Sequence, residues 1–212
     1  MELNSPICYI FGAGECNLKQ FSKTEQDFVI AADGGLATLE KFSVTPDLIV
    51  GDFDSLGYVP TGKNVICHPV MKDFTDTALA IDCGVEKGFK NFVVFGALGG
   101  RLDHTFANIA TVADCSQKGI KVFLAGDGIT VTAITDGDLN FSEKHKGIIS
   151  VFAFGNKAKG VDIKGFKYSL QNADLSPNFP IGVSNEFVGK KSTVSVKNGT
   201  LVVMWHESII IR

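Results

Sequence analysis

Between Ile7 and Gly126, short apolar runs alternate with longer amphipathic segments. The runs ICYIF (7–11), FVIAAD (28–33), DLIVGD (47–52), VICHP (65–69), NFVVFGA (91–97) and KVFLAG (121–126) have the length and the β-branched or aromatic content of strands. Two of the segments between them carry helical spacing. TDTALAIDCGVEKG (75–88) repeats Ala78, Leu79, Ile81 and Val85 near the helical period, with Thr75 or Asp76 as the cap. LDHTFANIATVADCSQKG (102–119) sets Leu102, Phe106, Ile109, Ala110 and Ala113 on one face and stops at Gly119. A further helix is expected after Gly34 and Gly35, running through Phe42. Strand and helix in alternation imply parallel strands joined by crossovers, so an α/β domain with a mostly parallel sheet is predicted.

Past Asp127 the pattern changes. ITVTAI, GIISVFAFG, GVDIKGF, STVSVKNG and TLVVMW are short, rich in β-branched residues and separated by Gly or Asn-Gly, with no helical period. KNGT (197–200) carries the signal of a two-residue hairpin turn. This half is expected to be a small antiparallel sandwich or barrel of roughly 80 residues. The chain is therefore divided into an α/β domain at 1–130 and an all-β sandwich at 136–212, with the boundary between Asp127 and Asp138.

Bulk properties narrow the possible partners. The 212 residues carry a formal net charge of -3, so no basic field draws in nucleic acid. An anionic substrate needs local help from a metal, an Arg or backbone N–H groups. Of the five cysteines none has C-x-x-C spacing, so neither a disulfide framework nor a zinc site is suggested. Glu2, Asn4 and Pro6 stand where a signal peptide needs an apolar run, and no apolar stretch is long enough to span a bilayer. A cytoplasmic protein with no membrane or nucleic-acid partner is expected.

In an open parallel sheet, ligands bind beyond the carboxyl ends of the strands. The unusual polar residues fall there. Asp33 follows FVIAA, Asp52 and Asp54 follow DLIV, KDFTD (72–76) follows VICHP, and GALGGRLDH (96–104) follows NFVVF. In i, i+2 register, Asp52 and Asp54 can point to one side of an extended segment, with Cα atoms roughly 7 Å apart. That suits hard oxygen ligands around Mg²⁺, which keeps waters and binds substrate phosphates. By itself D-x-D also fits a turn cap beside a solvated acid. Asp76 is a candidate third ligand or a first-turn acid, and Asp73 has the same two readings. Gly99 and Gly100 let a backbone approach a ligand closely, and the helix after them offers N–H groups to an anion. Arg101 sits at that helix start, where a cation opposes the dipole and a phosphate partner explains it better. Asp103 could orient a water, contact a hydroxyl or cap the helix, and His104 could face a base or a phosphate. GAGE (12–15) holds half of a dinucleotide fingerprint, and there is no Walker A lysine motif.

Taken together, ADGG, PDLIVGDFDS, KDFTD, GGRLDH, GFKY and GVSNEF, in this order and spacing, resemble the thiamine pyrophosphokinase family through essentially the whole chain. The resemblance implies an α/β domain and a C-terminal β-sandwich, in a homodimer whose active sites lie between subunits. It implies transfer of the β,γ-diphosphoryl group of ATP to thiamine with Mg²⁺, giving thiamine diphosphate and AMP. By motif, Asp52, Asp54 and Asp76 are the implied metal ligands. Asp33, Asp73, Thr75, Arg101, Asp103 and His104 are the implied ATP contacts. Tyr168, Ser184 and Asn185 are implied on the thiamine side. Trp205, the only tryptophan, is core or interface.

Two rivals stand beside this reading. A metal-dependent phosphohydrolase would use the D-x-D at 52–54 with its first Asp as nucleophile, but that motif normally follows the first strand, and here two strands precede it. A non-catalytic thiamine or nucleotide sensor would be favoured by a missing acid, and every acid of the pattern is present.

Overall fold

The computed structural model describes residues 3, 5–18, 21–53, 58, 62, 64–67 and 75–207. The chain divides into two compact units, one holding Leu3–Thr111 and Leu124–Asp127, the other Val112–Phe123 and Gly128–Ile210. Among the described residues the architecture is mixed β structure with few helices, which agrees with the coarse expectation from sequence.

The first unit contains β1 (Cys8–Phe11), β2 (Phe28–Ala32), α1 (Gly35–Lys41), β3 (Leu48–Gly51), β4 (Val65–Cys67), α2 (Asp76–Glu86), β5 (Asn91–Phe95) and the start of α3 (Leu102–Gln117). Its strands lie in the order β4-β3-β2-β1-β5, and among the described residues neighbours in that order pair in parallel. β1 is buried along its whole length, as a central parallel strand covered on both faces must be. Tyr9, Phe11, Phe21 and Phe95 pack around it, with Phe11 stacked on Phe95 at 5.0 Å between centroids. Buried Asp27 fixes the entry to β1 by accepting from the Ile7 N–H at 2.8 Å and from the Thr24 N–H and hydroxyl at 2.9 and 2.8 Å.

Thr75 caps α2, its Oγ1 accepting from the Ala78 N–H at 3.2 Å, and Asp76 occupies the first turn. α3 departs from its apolar pattern. Leu102 and Phe106 are exposed, while the helix buries Asn108, Val112, Ala113 and Cys115. The inward arc keeps Ala113 of the expected face, turns Leu102 and Phe106 outward and adds Asn108, which makes a polar contact described below. The helix ends at Gly119 as expected, with φ +73° and the Ile120 N–H returning to the Cys115 carbonyl at 2.9 Å.

The second unit holds β7 (Thr130–Thr135), β8 (Asp138–Phe141), β9 (Ile148–Lys164), β10 (Leu170–Leu175), β11 (Gly182–Glu186), β12 (Ser192–Ser195) and β13 (Asn198–Trp205). β6 (Lys121–Ala125) precedes them and straddles the division. Among the described residues the strands of this unit pair antiparallel. The two runs GIISVFAFG and GVDIKGF form one 17-residue strand, β9. Its first half pairs with β13 and β11, and its second half with β10 and β12, so one strand serves two sheets. Phe141, Phe166, Phe187 and Trp205 meet in the core of this unit, Phe141 lying edge-on to Trp205 at 5.4 Å. Trp205 is buried.

The KNGT turn is not the expected hairpin. β12 pairs with β8 and β9, whereas β13 pairs with β7 and β9. Asn198 and Gly199 instead belong to β13, at a register shift between Asn198 and Thr200. The Gly199 N–H donates to Asp136 Oδ1 at 2.7 Å, and the Asp136 N–H donates to the Gly199 carbonyl at 3.2 Å. Side chain and ladder together claim the backbone that a two-residue turn would have used.

Candidate functional site

Parallel strands bring their carboxyl ends to one edge. From β1 the chain steps through β2, β3 and β4 on one side, then returns to place β5 on the other side of β1. The order reverses at β1 and β5, which is where an open α/β sheet leaves a crevice for a ligand. Two loops meet there. The Gly12 N–H donates to the Phe95 carbonyl at 2.8 Å and the Gly14 N–H to the Gly96 carbonyl at 3.0 Å, so GAGE lies alongside the start of the 96–101 loop.

Beside this point, β2 and β3 end in carboxylates. Ala32 faces Val50 in register, which sets Asp33 beside Gly51 and one residue short of Asp52. Gly51 suits this close approach, since a Cβ would stand 3.0 Å from the Asp33 Cα. Asp33 itself is buried, adopts φ +46°, donates its N–H to the Val50 carbonyl at 2.8 Å and accepts from the Leu36 N–H at 3.2 Å. A non-glycine residue in the left-handed region at a strand end marks a tightly determined backbone.

The loop after β5 supplies the cationic group. Gly99 and Gly100 adopt φ +84° and +64°, and a Cβ at either would meet nothing within 4 Å, so conformation rather than crowding calls for glycine. Arg101 is exposed and grips Asp103 in a fork, Nη2 to Oδ2 at 2.6 Å and Nε to Oδ1 at 3.2 Å. The His104 N–H also donates to Asp103 Oδ1, at 3.0 Å. The Arg101 hydrogen bonds, ahead of the smaller help from the His104 N–H, hold the Asp103 carboxyl at a pKa of about 2. Arg101 is therefore stored against a carboxylate in an exposed pair, a geometry that an incoming phosphate can match.

Two residues overlooked in the sequence fix this loop. Thr105 Oγ1 donates to the Gly99 carbonyl at 3.2 Å or the Arg101 carbonyl at 3.3 Å, and buried Asn108 donates to the Ala97 carbonyl at 2.9 Å. Both lie in the first two turns of α3, and no apolar or polar spacing in the sequence marks them.

Asp54 and Asp73 lie outside the described residues. Among the described residues no three His, Cys, Asp or Glu side chains gather closely enough to hold a metal ion. The donor chemistry at these strand ends is nonetheless that of carboxylate oxygen, the kind Mg²⁺ prefers. Asp76 sits half-buried in the first turn of α2, one residue after the capping Thr75.

In the second unit, the residues from GFKY and GVSNEF come together. Phe166 bridges to Phe187, and the Lys167 N–H donates to the Glu186 carbonyl at 3.0 Å. Tyr168 is exposed, and the Lys167 ammonium stands over its ring at 5.5 Å from the centroid. Lys167 is in turn paired with Glu186 at 2.7 Å. Ser184 is exposed, with φ +58°, and donates its N–H to Ser150 Oγ at 3.1 Å. Asn185, next to it, is buried.

Both parts of the chain match known proteins. The family model described as thiamin pyrophosphokinase, catalytic domain, matches residues 20–124. The model described as thiamin pyrophosphokinase, vitamin B1 binding domain, matches residues 138–201. A thiamine pyrophosphokinase of Bacillus subtilis is 28% identical over 187 residues, covering 85% of this chain and 87% of the relative. Thiamin pyrophosphokinase 1 of Caenorhabditis elegans is 30% identical over 173 residues, covering 74% of this chain and 70% of the relative. The crystal structure of thiamine pyrophosphokinase from Bacillus subtilis superposes with a TM-score of 0.82 at 25% identity, covering 96% of this chain and all of that one.

Proposed function

The chain belongs to the thiamin pyrophosphokinase family, and on that premise we propose that it transfers the β,γ-diphosphoryl group of ATP to the hydroxyl of thiamine, releasing AMP. What carries this reading is one observation: a catalytic-domain match and a vitamin B1-binding match follow each other in one chain. Residues 1–130 are read as the nucleotide and metal domain and 136–212 as a thiamine-binding β-sandwich, in a homodimer with its active sites at the subunit interface.

The thiamine hydroxyl attacks the β-phosphorus in line, its proton passing to a nearby carboxylate, with Asp73 and Asp103 the candidates, or to solvent, and AMP leaves from the opposite side. Such a transfer depends on positioning and charge neutralisation more than on covalent catalysis. Asp52, Asp54 and Asp76 would hold Mg²⁺, which when bound neutralises phosphate charge. Arg101, released from Asp103, binds a phosphate oxygen, and the turn at Gly99 and Gly100 brings backbone close to the triphosphate. Asp33, Asp73, Thr75 and His104 complete the nucleotide side, with the acceptor of Thr75 already engaged by the α2 cap. Asp103 is a weak proton acceptor while Arg101 holds its pKa near 2. Tyr168, Ser184 and Asn185 form the thiamine side, where the Tyr168 face opposite Lys167 suits a cationic aromatic ring.

Asp52→Asn tests the carboxylate assignment. The variant should keep its circular dichroism and lose thiamine diphosphate formation by at least roughly 10²-fold. Turnover close to wild type would remove Asp52 from the site.

A further inference from the structure

We infer that Asn185 is a positioning residue that acts on thiamine through Tyr168, a conclusion that rests on the reading of Tyr168 as a thiamine-side residue. Register along β11 is the starting point. Gly182 pairs with Val151 and Asn185 pairs with Ile149, so three steps on β11 match two on β9. The extra residue makes a bulge, and the bulge re-aims the side chains after it. Val183 and Ser184 face solvent, and Asn185 turns into the protein.

There the carboxamide makes three hydrogen bonds to backbone. Its Oδ1 accepts from the Tyr168 N–H at 2.9 Å and from the Glu186 N–H at 2.9 Å, and its Nδ2 donates to the Tyr168 carbonyl at 2.6 Å. Both polar backbone groups of Tyr168 are thus tied to one side chain 17 residues away. The neighbouring contacts act in the same sense: Phe166 packs on Phe187 at 5.2 Å between centroids, and Lys167 is bonded to Glu186 through backbone and side chain. Tyr168 is an exposed ring whose backbone N–H and carbonyl are both hydrogen-bonded to Asn185. A large aromatic group held this way is preorganised for stacking, which lowers the ordering cost of binding.

This assignment separates Asn185 from Ser184. Ser184 offers its side chain to the surface, whereas Asn185 has spent its acceptor and one donor on the loop beneath that surface.

A double-mutant cycle tests it, using the full chain with Mg²⁺, ATP and thiamine. Asn185→Ala should raise KM for thiamine roughly tenfold while leaving KM for ATP unchanged. In the Tyr168→Ala background the same change should add almost nothing, because the residue it positions is gone. Additive effects would overturn the proposal in favour of a direct contact between Asn185 and thiamine. A lowered Tm with both KM values unchanged would overturn it in favour of a purely structural role. If Tyr168→Ala alone leaves KM for thiamine unchanged, the reading of Tyr168 fails, and the proposal falls with it through a different observation. Should Asn185→Ala not fold, Asn185→Ser carries the same cycle, since its shorter hydroxyl cannot hold both Tyr168 backbone groups at once and adds no charge.

Discussion

Arg101 and Asp103 hold each other at the start of α3, and both are exposed. An exposed pair adds little to stability, so its residues can be spent on a ligand. Arg101→Gln is therefore expected to lower kcat/KM for ATP by roughly 10²-fold with Tm unchanged. A variant that melts early but turns over normally would make Arg101 structural instead. Asp27 gives the opposite case. Burial by itself would raise its pKa, but the bonds from Thr24 and Ile7 outweigh it and lower the value below 3.8. Its stabilisation is present above that pH and lost as pH falls through the folded value. Asp27→Asn should cost about 1–2 kcal/mol at neutral pH, with the gap to wild type closing below about pH 3.8 in acid denaturation curves. Residue types were legible in the sequence where chemistry is unusual for its position, as with an Arg at a helix start. Asn108 and Thr105 escaped because their contacts are to carbonyls of a neighbouring loop, which no local spacing encodes.

At the scale of elements, the parallel half could be read nearly strand by strand, because a strand buried on both faces is a continuous apolar run. Thr75 was legible as a cap for the same local reason, and Thr75→Ala should destabilise the protein by about 1 kcal/mol in urea unfolding. A loss of activity far beyond that loss of stability would show the hydroxyl also serves the site. The antiparallel half was less legible. β10 buries only Leu175 and β11 only Gly182 and Asn185, so neither sequence has an apolar alternation to find. β9 was split in two by the glycine-bearing FGNKAKG between its apolar runs, where the strand passes from one set of partners to another. The Asn-Gly signal at 198–199 was read as a hairpin, but long-range pairing with Asp136 decided its conformation.

Across the whole molecule, the order of strands explains what spacing alone could not. Asp33 and Asp52 are 19 positions apart in sequence, yet parallel pairing of β2 with β3 makes them neighbours. Return of the chain to β5 then sets the Gly99–Gly100–Arg101 turn on the far side of β1. A sheet of this order collects acids, glycines and one arginine along its carboxyl edge without any of them being close in sequence. The mean fold was therefore readable from periodicity, the edge from topology, and the reaction from the family to which the chain belongs. Diphosphoryl transfer is the central claim, and product analysis tests it most directly. Incubation with ATP, Mg²⁺ and thiamine should yield AMP and thiamine diphosphate in equal amounts, with neither formed when thiamine is omitted. ADP or inorganic phosphate released at the same rate with and without thiamine would contradict it.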